Sequence, residues 1–286
     1  MADAVSRLRA AGSDTPRLDA EVLLAHVTNR DRAWLFAHPE AEVVETDAFQ
    51  ALIKRRAAGE PVAYLRGFKE WHSLRIRTDV RALIPRPETE LLADAAGDEI
   101  ARRLARGAGS VRVVAWEVGT GSGAVAIVLA QSFAEALADG RLALLATDLS
   151  PEALELAAEN FALHGVAEVR LQAADLLEGA GDGRPRPDVV VANLPYVSTA
   201  EVEARWGSLG YEPRVATDGG TDGLDLIRRL MGEVPGRAAD GATILLEIGV
   251  GQVEAIRALA PEGASVEVVP DMAGLDRVVR IGLARS

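Results

Sequence analysis

Glu117-Val118-Gly119-Thr120-Gly121-Ser122-Gly123 stands between an apolar run, Val111 to Val118, and a segment of helical periodicity, Gly123 to Leu137. A buried strand that ends in glycines and turns directly into a helix opens an α/β unit. The glycines let the backbone turn sharply and let a ligand approach the main chain and the helix N-terminus. The alternation continues downstream. Arg141 to Thr147 reads as a strand, and Ser150-Pro151-Glu152 opens a helix with a cap and a first-turn proline. Val169 to Ala173, Asp188 to Ala192, Ala242 to Glu247, Val266 to Val269 and Arg277 to Gly282 supply further strands. This rhythm predicts a parallel α/β sheet with helices on both faces. Glu178 to Pro187 reads as a surface loop. Tyr196 to about Thr221 lacks periodicity, and a loop of that length in a compact domain is often a functional lid.

Upstream of the sheet the pattern is helical. Thr15 can cap and Pro16 can take the first position of a helix in which Ala20, Leu23, Leu24 and Val27 form one apolar stripe. A second periodic segment runs from about Glu45 to Ala58 and stops at Gly59; its Lys54-Arg55-Arg56 run suits the negative end of the helix dipole. Between Phe68 and Leu83 the pattern shortens to alternation, with Leu74 and Ile76 against Arg75 and Arg77, which predicts a strand or hairpin. Ile84-Pro85-Arg86-Pro87 breaks it, and the domain boundary is placed here.

Composition bounds the function. The chain has 286 residues, 49% of them hydrophobic, enough for a sizeable core and a companion domain. No apolar run approaches the ~18 residues of a membrane-spanning helix, and Met1 to Ala10 carries charges of both signs, unlike a signal peptide. Cytoplasmic localisation is expected. The absence of cysteine excludes disulfides, thiolate-bound zinc and cysteine nucleophiles. His26, His38, His72 and His164 are scattered, so no metal is assigned. A net charge of −12 argues against a nucleic-acid substrate, because phosphate neutralisation needs a basic surface.

Two places carry chemistry. Asp148, at the end of the second strand of the sheet, can accept hydrogen bonds from a ribose diol. Gly119-x-Gly121-x-x-Ala124 with Asp148 also satisfies the looser dinucleotide fingerprint, so an oxidoreductase competes at this point. Glu117 tilts the choice toward S-adenosylmethionine, since methyltransferases of this fold often carry an acid there. The second place is Asn193-Leu194-Pro195-Tyr196, which follows the apolar strand at the edge where open α/β sheets bind ligands. It resembles the Asn-Pro-Pro-Tyr signature of methyltransferases that act on planar –NH2 nitrogens of adenine, cytosine or glutamine. An amide nitrogen is a poor nucleophile because its lone pair is delocalised. The Asn193 oxygen and the Leu194 carbonyl can accept its two N–H groups and hold it in line with the methyl–sulfonium bond, with the Tyr196 ring stacked on the amide plane. Leu194 replaces the usual proline but keeps the carbonyl. Asn-Leu-Pro-Tyr also resembles ribosomal RNA adenine dimethyltransferases, which keeps an RNA adenine-N6 methyltransferase as the alternative. A non-catalytic cofactor-binding module is a third reading, because motifs alone do not prove turnover.

Further motifs separate these substrates. Gly59-Glu60-Pro61-Val62-Ala63-Tyr64-Leu65-x-Gly67, Leu83-Ile84-Pro85-Arg86-Pro87-Glu88-Thr89-Glu90 and Tyr211-Glu212-Pro213-Arg214 resemble the release factor glutamine methyltransferase (HemK) family. So do Asp218-Gly219-Gly220-Thr221-Asp222-Gly223-Leu224, Leu246-Glu247-Ile248-Gly249-x-Gly251-Gln252 and Asp271-x-x-Gly274-x-Asp276-Arg277. The resemblance spans nearly the whole chain. It implies a helical substrate-docking domain over 1–67, a β-hairpin linker over 68–86, and a Rossmann-like seven-stranded class I methyltransferase domain over 87–286 whose last strand is antiparallel. It implies S-adenosylmethionine as methyl donor, S-adenosylhomocysteine as product, and class I peptide-chain release factors as partners, modified on the glutamine of a Gly-Gly-Gln loop. By position, Gly119, Thr120, Gly121, Ser122, Gly123 and Asp148 would hold the cofactor. Asp175 and Leu176 would lie by the adenine, where the family often has an aromatic residue at the second place. Asn193 would touch cofactor and substrate, and Leu194, Pro195 and Tyr196 the substrate amide. Arg86 and Glu88 would wall the site, without an assigned role.

Overall fold

A computed structural model of the protein describes residues 1–38, 40–41, 46–106, 112–204 and 208–285. Helices α1 (Ala2–Ala10), α2 (Pro16–Thr28), α3 (Arg32–Ala37), α4 (Thr46–Ala57) and α5 (Val62–Arg66) enclose their own apolar cluster, built on Leu8, Leu23, Phe49, Ile53 and Leu65. Thr15 precedes α2 but does not cap it with its side chain. Its hydroxyl donates instead to Asp19, 2.9 Å away, which also receives Ser13 and Arg56. The hydroxyl proton goes to the buried Asp19 carboxylate, and the hydroxyl oxygen accepts no N–H of the first turn.

The alternating segment is a hairpin of β1 (Phe68–Trp71) and β2 (Leu74–Arg77). His72 and Ser73 turn it with φ of 47° and 62°, the left-handed pair that matches strand twist in a two-residue turn. The His72 N–H donates to Glu90 at 2.9 Å, which ties this turn to the helix that follows.

Beyond the hairpin come α6 (Thr89–Arg106), β3 (Val113–Val118), α7 (Ala124–Ser132), α8 (Ala134–Ala138), β4 (Leu142–Asp148), α9 (Pro151–His164), β5 (Arg170–Ala173) and β6 (Val189–Ala192). They are followed by α10 (Thr199–Ala204), α11 (Asp225–Arg237), β7 (Thr243–Glu247), α12 (Val253–Leu259), β8 (Ser265–Pro270) and β9 (Asp276–Gly282). The seven strands lie in the order β5-β4-β3-β6-β7-β9-β8. β3 to β7 are parallel, and β9 runs antiparallel between β7 and β8. Alternate residues of β3 enter two separate cores. Val113 and Ala115 face a cluster with α6, α7 and Phe161 of α9; Val114, Trp116 and Val118 face one with α11 and α12. The expected α/β sheet with helices on both faces is therefore present, with its last strand antiparallel.

The periodic segment Gly123 to Leu137 is not one helix. It breaks at Phe133, whose φ of −122° leaves the helical region while its ring packs 3.9 Å from the Cβ direction of Gly97 on α6. Packing between helices overrides the local pattern. Within Tyr196 to Thr221 the chain forms α10 and two 3₁₀ turns, Ser208–Tyr211 and Arg214–Ala216. Glu45 and Val111, expected at the starts of α4 and β3, lie outside the described residues. No described helix is long and apolar enough to cross a membrane.

Candidate active site

The glycine loop leaves β3 at the carboxyl edge of the sheet. Gly119, Gly121 and Gly123 have φ of 73°, 55° and 80°, so the turn is left-handed at every second residue. Gly123 begins α7 and has no side chain to cap it. Glu117 supplies the cap: its Oε2 accepts the Ala126 N–H at 3.0 Å and the Thr120 hydroxyl at 2.7 Å. Complete burial pushes the Glu117 carboxyl up to about 8. Asp148 accepts the N–H of Gly121 and of Ser150, each at 2.9 Å, and burial raises its pKa as well. One carboxylate thus joins the glycine loop to the start of α9. Asn160, fully buried, joins the same loop to the hairpin by donating to the carbonyls of Ser122 (2.9 Å) and Arg77 (3.1 Å).

These elements surround a cleft of ≈ 1100 Å³, measured together with the solvent at its mouth. It brings together Gly119, Thr120, Gly121, Ser122, Asp148, Asp175, Leu176, Asn193, Leu194 and Pro195. Gly123 and Tyr196 are outside that wall. A Cβ on Gly123 would stand 2.8 Å from the Phe161 ring and 3.2 Å from Ala157 Cβ, so this glycine serves the packing of α9. The Thr120 hydroxyl points inward to Glu117, leaving its main chain to the cleft. Asp175 pairs with Arg229 at 2.7 Å.

Asn193 follows β6. Its Nδ2 donates to Thr89 Oγ1 at 3.1 Å, which leaves Oδ1 as a free acceptor, and the Leu194 carbonyl accepts no backbone hydrogen bond among the described residues. The Leu194 side chain is buried against the glycine loop, 3.5 Å from the Cβ direction of Gly119. A leucine here fills space beneath the loop. The Tyr196 hydroxyl donates to Glu247 Oε1 at 3.1 Å, and its carbonyl accepts Gln252 Nε2 at 3.1 Å. Burial beside the Glu247 carboxyl raises the tyrosine pKa, so the phenol stays protonated.

The assignments from motifs omitted several of these partners. Thr89, Glu247 and Gln252 support the Asn193–Tyr196 segment, and Arg86, which lines the cleft, forms an ion pair with buried Glu212. Glu212 also accepts the Ile84 N–H at 3.1 Å. The Tyr64 hydroxyl donates to the Ala82 carbonyl (2.7 Å) and that of Tyr211 to the Ala58 carbonyl (3.1 Å), joining the helical region to both walls of the cleft. All these residues except Ala58 and Ala82 stood within the resembling motifs; their pairing across the sheet edge is what the linear order conceals.

The cleft fits S-adenosylmethionine. Loop main chain and the Asp148 carboxylate provide polar partners, while Leu176, Val118, Pro195 and Leu226 provide an apolar wall. Among the described residues no group of three or more His, Asp or Glu is arranged to hold a metal ion. A parallel sheet with one antiparallel strand near its edge, a glycine loop and an Asn-Leu-Pro-Tyr turn at its carboxyl end define an S-adenosylmethionine-dependent methyltransferase. A methyltransferase structure from Pyrococcus furiosus covers 83% of this chain and 98% of its own with a TM-score of 0.50 at 20% identity. The hMettl16 catalytic domain covers 82% of both chains with a TM-score of 0.53 at 14% identity.

The family profile of the PrmC N-terminal domain matches residues 1–67. The release factor glutamine methyltransferase of Koribacter versatilis is 37% identical over 279 residues, 96% of this chain and 94% of that protein. That of Bordetella pertussis is 40% identical over 269 residues, 92% of this chain and 93% of that protein. The chain belongs to the release factor glutamine methyltransferase family.

Proposed function

We propose that the protein transfers a methyl group from S-adenosylmethionine to the side-chain amide nitrogen of the glutamine in the Gly-Gly-Gln loop of class I peptide-chain release factors. The observation that carries this reading is the pair of acceptors at the cleft. Asn193 is held by Thr89 with Oδ1 left over, and the Leu194 carbonyl next to it accepts no backbone hydrogen bond among the described residues. Two acceptors match the two N–H donors of a primary amide. Accepting both fixes the amide plane, so that the nitrogen lone pair perpendicular to it faces the methyl donor, and favours the positive charge that builds on nitrogen. Bound S-adenosylmethionine supplies an electrophilic methyl on a sulfonium. With the donor bound, the amide nitrogen would take the methyl as the C–S bond breaks with its electron pair left on sulfur, and would return a proton to solvent. Pro195 stiffens the turn, and Tyr196, held from behind by Glu247 and Gln252, offers a planar surface to the amide.

In this reading residues 1–67 dock the release factor, 68–86 link, and 87–286 carry the reaction, in the cytoplasm. Gly119 to Ser122, Asp148, Asp175, Leu176 and Asn193 hold the cofactor, with Gly123 seating the loop against α9. The reaction needs no metal, and nucleic acid is not a direct partner. The test is incubation of the purified protein with methyl-labelled S-adenosylmethionine and either a recombinant release factor or ribosomal RNA, with the label mapped by mass spectrometry. Label on the Gly-Gly-Gln glutamine is expected, lost in Asn193→Ala with cofactor affinity largely kept. Label on RNA adenine alone would replace the substrate, and transfer by Asn193→Ala at the wild-type rate would remove the amide-holding role.

A further inference from the structure

Glu247 is a buried ionisable group beside the site, and the reaction above uses it only as a prop for Tyr196. It ends β7, and the pairing of Ala192 with Leu246 sets it alongside Asn193. Only 1% of it is exposed. Oε1 accepts the Tyr196 hydroxyl at 3.1 Å, while Oε2 is buried and makes no hydrogen bond among the described residues. An orphaned carboxylate oxygen in such a place is costly and calls for a reason. The Thr89 hydroxyl makes no hydrogen bond to this carboxyl as it stands, but lies near enough to favour its charged form, and its proton turned to Oε2 would fill that vacancy. The Thr89 oxygen, in turn, accepts Nδ2 of Asn193 at 3.1 Å.

An asparagine amide has nearly the same shape with its oxygen and nitrogen exchanged, so only its partners decide which end faces the cleft. A carboxylate can only accept. A threonine hydroxyl whose proton is drawn toward it has lone pairs left for another donor, and Asn193 Nδ2 takes that place. The oxygen of Asn193 then points outward. With a donor in place of the carboxylate, the hydroxyl could reverse, Asn193 could flip, and an NH2 group would meet the NH2 of the substrate.

We propose that Glu247 is a positioning residue of the methyl transfer, fixing through Thr89 the orientation in which Asn193 turns its oxygen to the substrate amide and through Tyr196 the ring beside it. The proposal rests on the amide-methylating reading given above. Its active form is the carboxylate. The groups acting on that carboxyl are Tyr196 from the turn after β6, Thr89 and Glu88 from the start of α6, and Arg277 from β9. Burial is the largest influence and raises the pKa; Thr89, Tyr196 and Arg277 pull it down and Glu88 pushes it up, with the net direction upward. Turnover should therefore fall on acidification at a pH above the ordinary carboxylate range.

The experiment measures kcat and KM from pH 5.5 to 8.5 with labelled S-adenosylmethionine and a recombinant release factor, for the full chain and for Glu247→Gln, Thr89→Ser and Thr89→Val. S-adenosylhomocysteine affinity is measured by calorimetry alongside. Glu247→Gln should lower kcat by roughly 100-fold, as misplacement of a reacting group does, should lose the acidic limb of the profile, and should bind S-adenosylhomocysteine within about twofold of wild type. Thr89→Ser should keep both rate and limb; Thr89→Val should behave as Glu247→Gln does. Wild-type kcat and an unchanged limb in Glu247→Gln would overturn the proposal, as would an equal loss of S-adenosylhomocysteine affinity. A wild-type protein that labels no release factor fails the underlying reading and takes this inference with it; an active wild type with an equally active Glu247→Gln fails the inference alone.

Discussion

The Arg86 guanidinium meets the Glu212 carboxylate at the rim of the cofactor cleft, across 126 positions of sequence. The glutamate side chain is completely buried and the arginine is 31% exposed. Glu212 also holds the Ile84 N–H, so one carboxylate fastens the segment after Tyr196 to the linker that precedes α6. Pro213, Val215 and Ala216, next to it in sequence, line the cleft.

Glu212→Ala should therefore release this wall. Breaking a buried pair costs about 3–5 kcal/mol; the solvent share of Arg86 reduces this to roughly 2–3 kcal/mol. Urea unfolding should show that loss, and calorimetry should show weaker S-adenosylmethionine binding. Unchanged affinity would mean that the wall does not depend on the pair.

Gly123→Ala tests the packing role of the loop. The new methyl would meet Phe161 and Ala157 from a left-handed residue. Backbone strain and overpacking together predict a loss of about 2–4 kcal/mol, read as a lower urea midpoint. A change below ~1 kcal/mol would show that α9 yields easily.

Gly223→Ala tests the support of Tyr196. At φ +75° the methyl would run into the Tyr196 carbonyl and stand 2.9 Å from Gln252 Nε2. Shifting that turn by a fraction of an ångström should lower kcat by about 10- to 100-fold, with S-adenosylhomocysteine affinity changed far less. Steady-state kinetics with a release factor reads the split.

Glu117 makes stability depend on pH. Its folded pKa, about 8, lies above the unfolded value, so the folded state binds the proton more tightly. That contribution is complete below the unfolded pKa and is lost as pH rises through about 8. Asp148, Glu212 and Glu247 shift in the same direction. The protein without cofactor should lose on the order of a few kcal/mol between pH 5.5 and 8.5. Glu117→Gln should flatten that slope. An identical slope in the variant would show that Glu117 does not titrate in this range.

The sheet was legible because β3, β6 and β7 are buried on both faces and read as continuous apolar runs, each bounded by turn residues. The glycine loop and the Asn193 turn were legible because each is contiguous. Glu247 and Glu212 were visible as letters but not as site residues. Their meaning comes from Tyr196, 51 positions away, and Arg86, 126 positions away. The break at Phe133 was missed for a related reason, since Gly97 makes room for the ring from another helix. Thr15 misled because its hydroxyl is held as a donor to Asp19, with its oxygen not turned to the N–H groups of the first turn.

The position of β9 bears on how the chain is made. It is hydrogen-bonded to β7 on one side and β8 on the other, and Arg280 in its middle reaches the buried carboxylate of Glu99. Until residues 276–282 have emerged from the ribosome, β7 has an open edge, β8 has no partner strand, and Glu99 lacks one of its cations. The helical cluster around Leu23 and Ile53 needs none of these later residues. Synthesis should thus deliver a formed amino-terminal unit well before the sheet can close, and the unfinished sheet is the interval in which the nascent chain is most open to pairing with a neighbour.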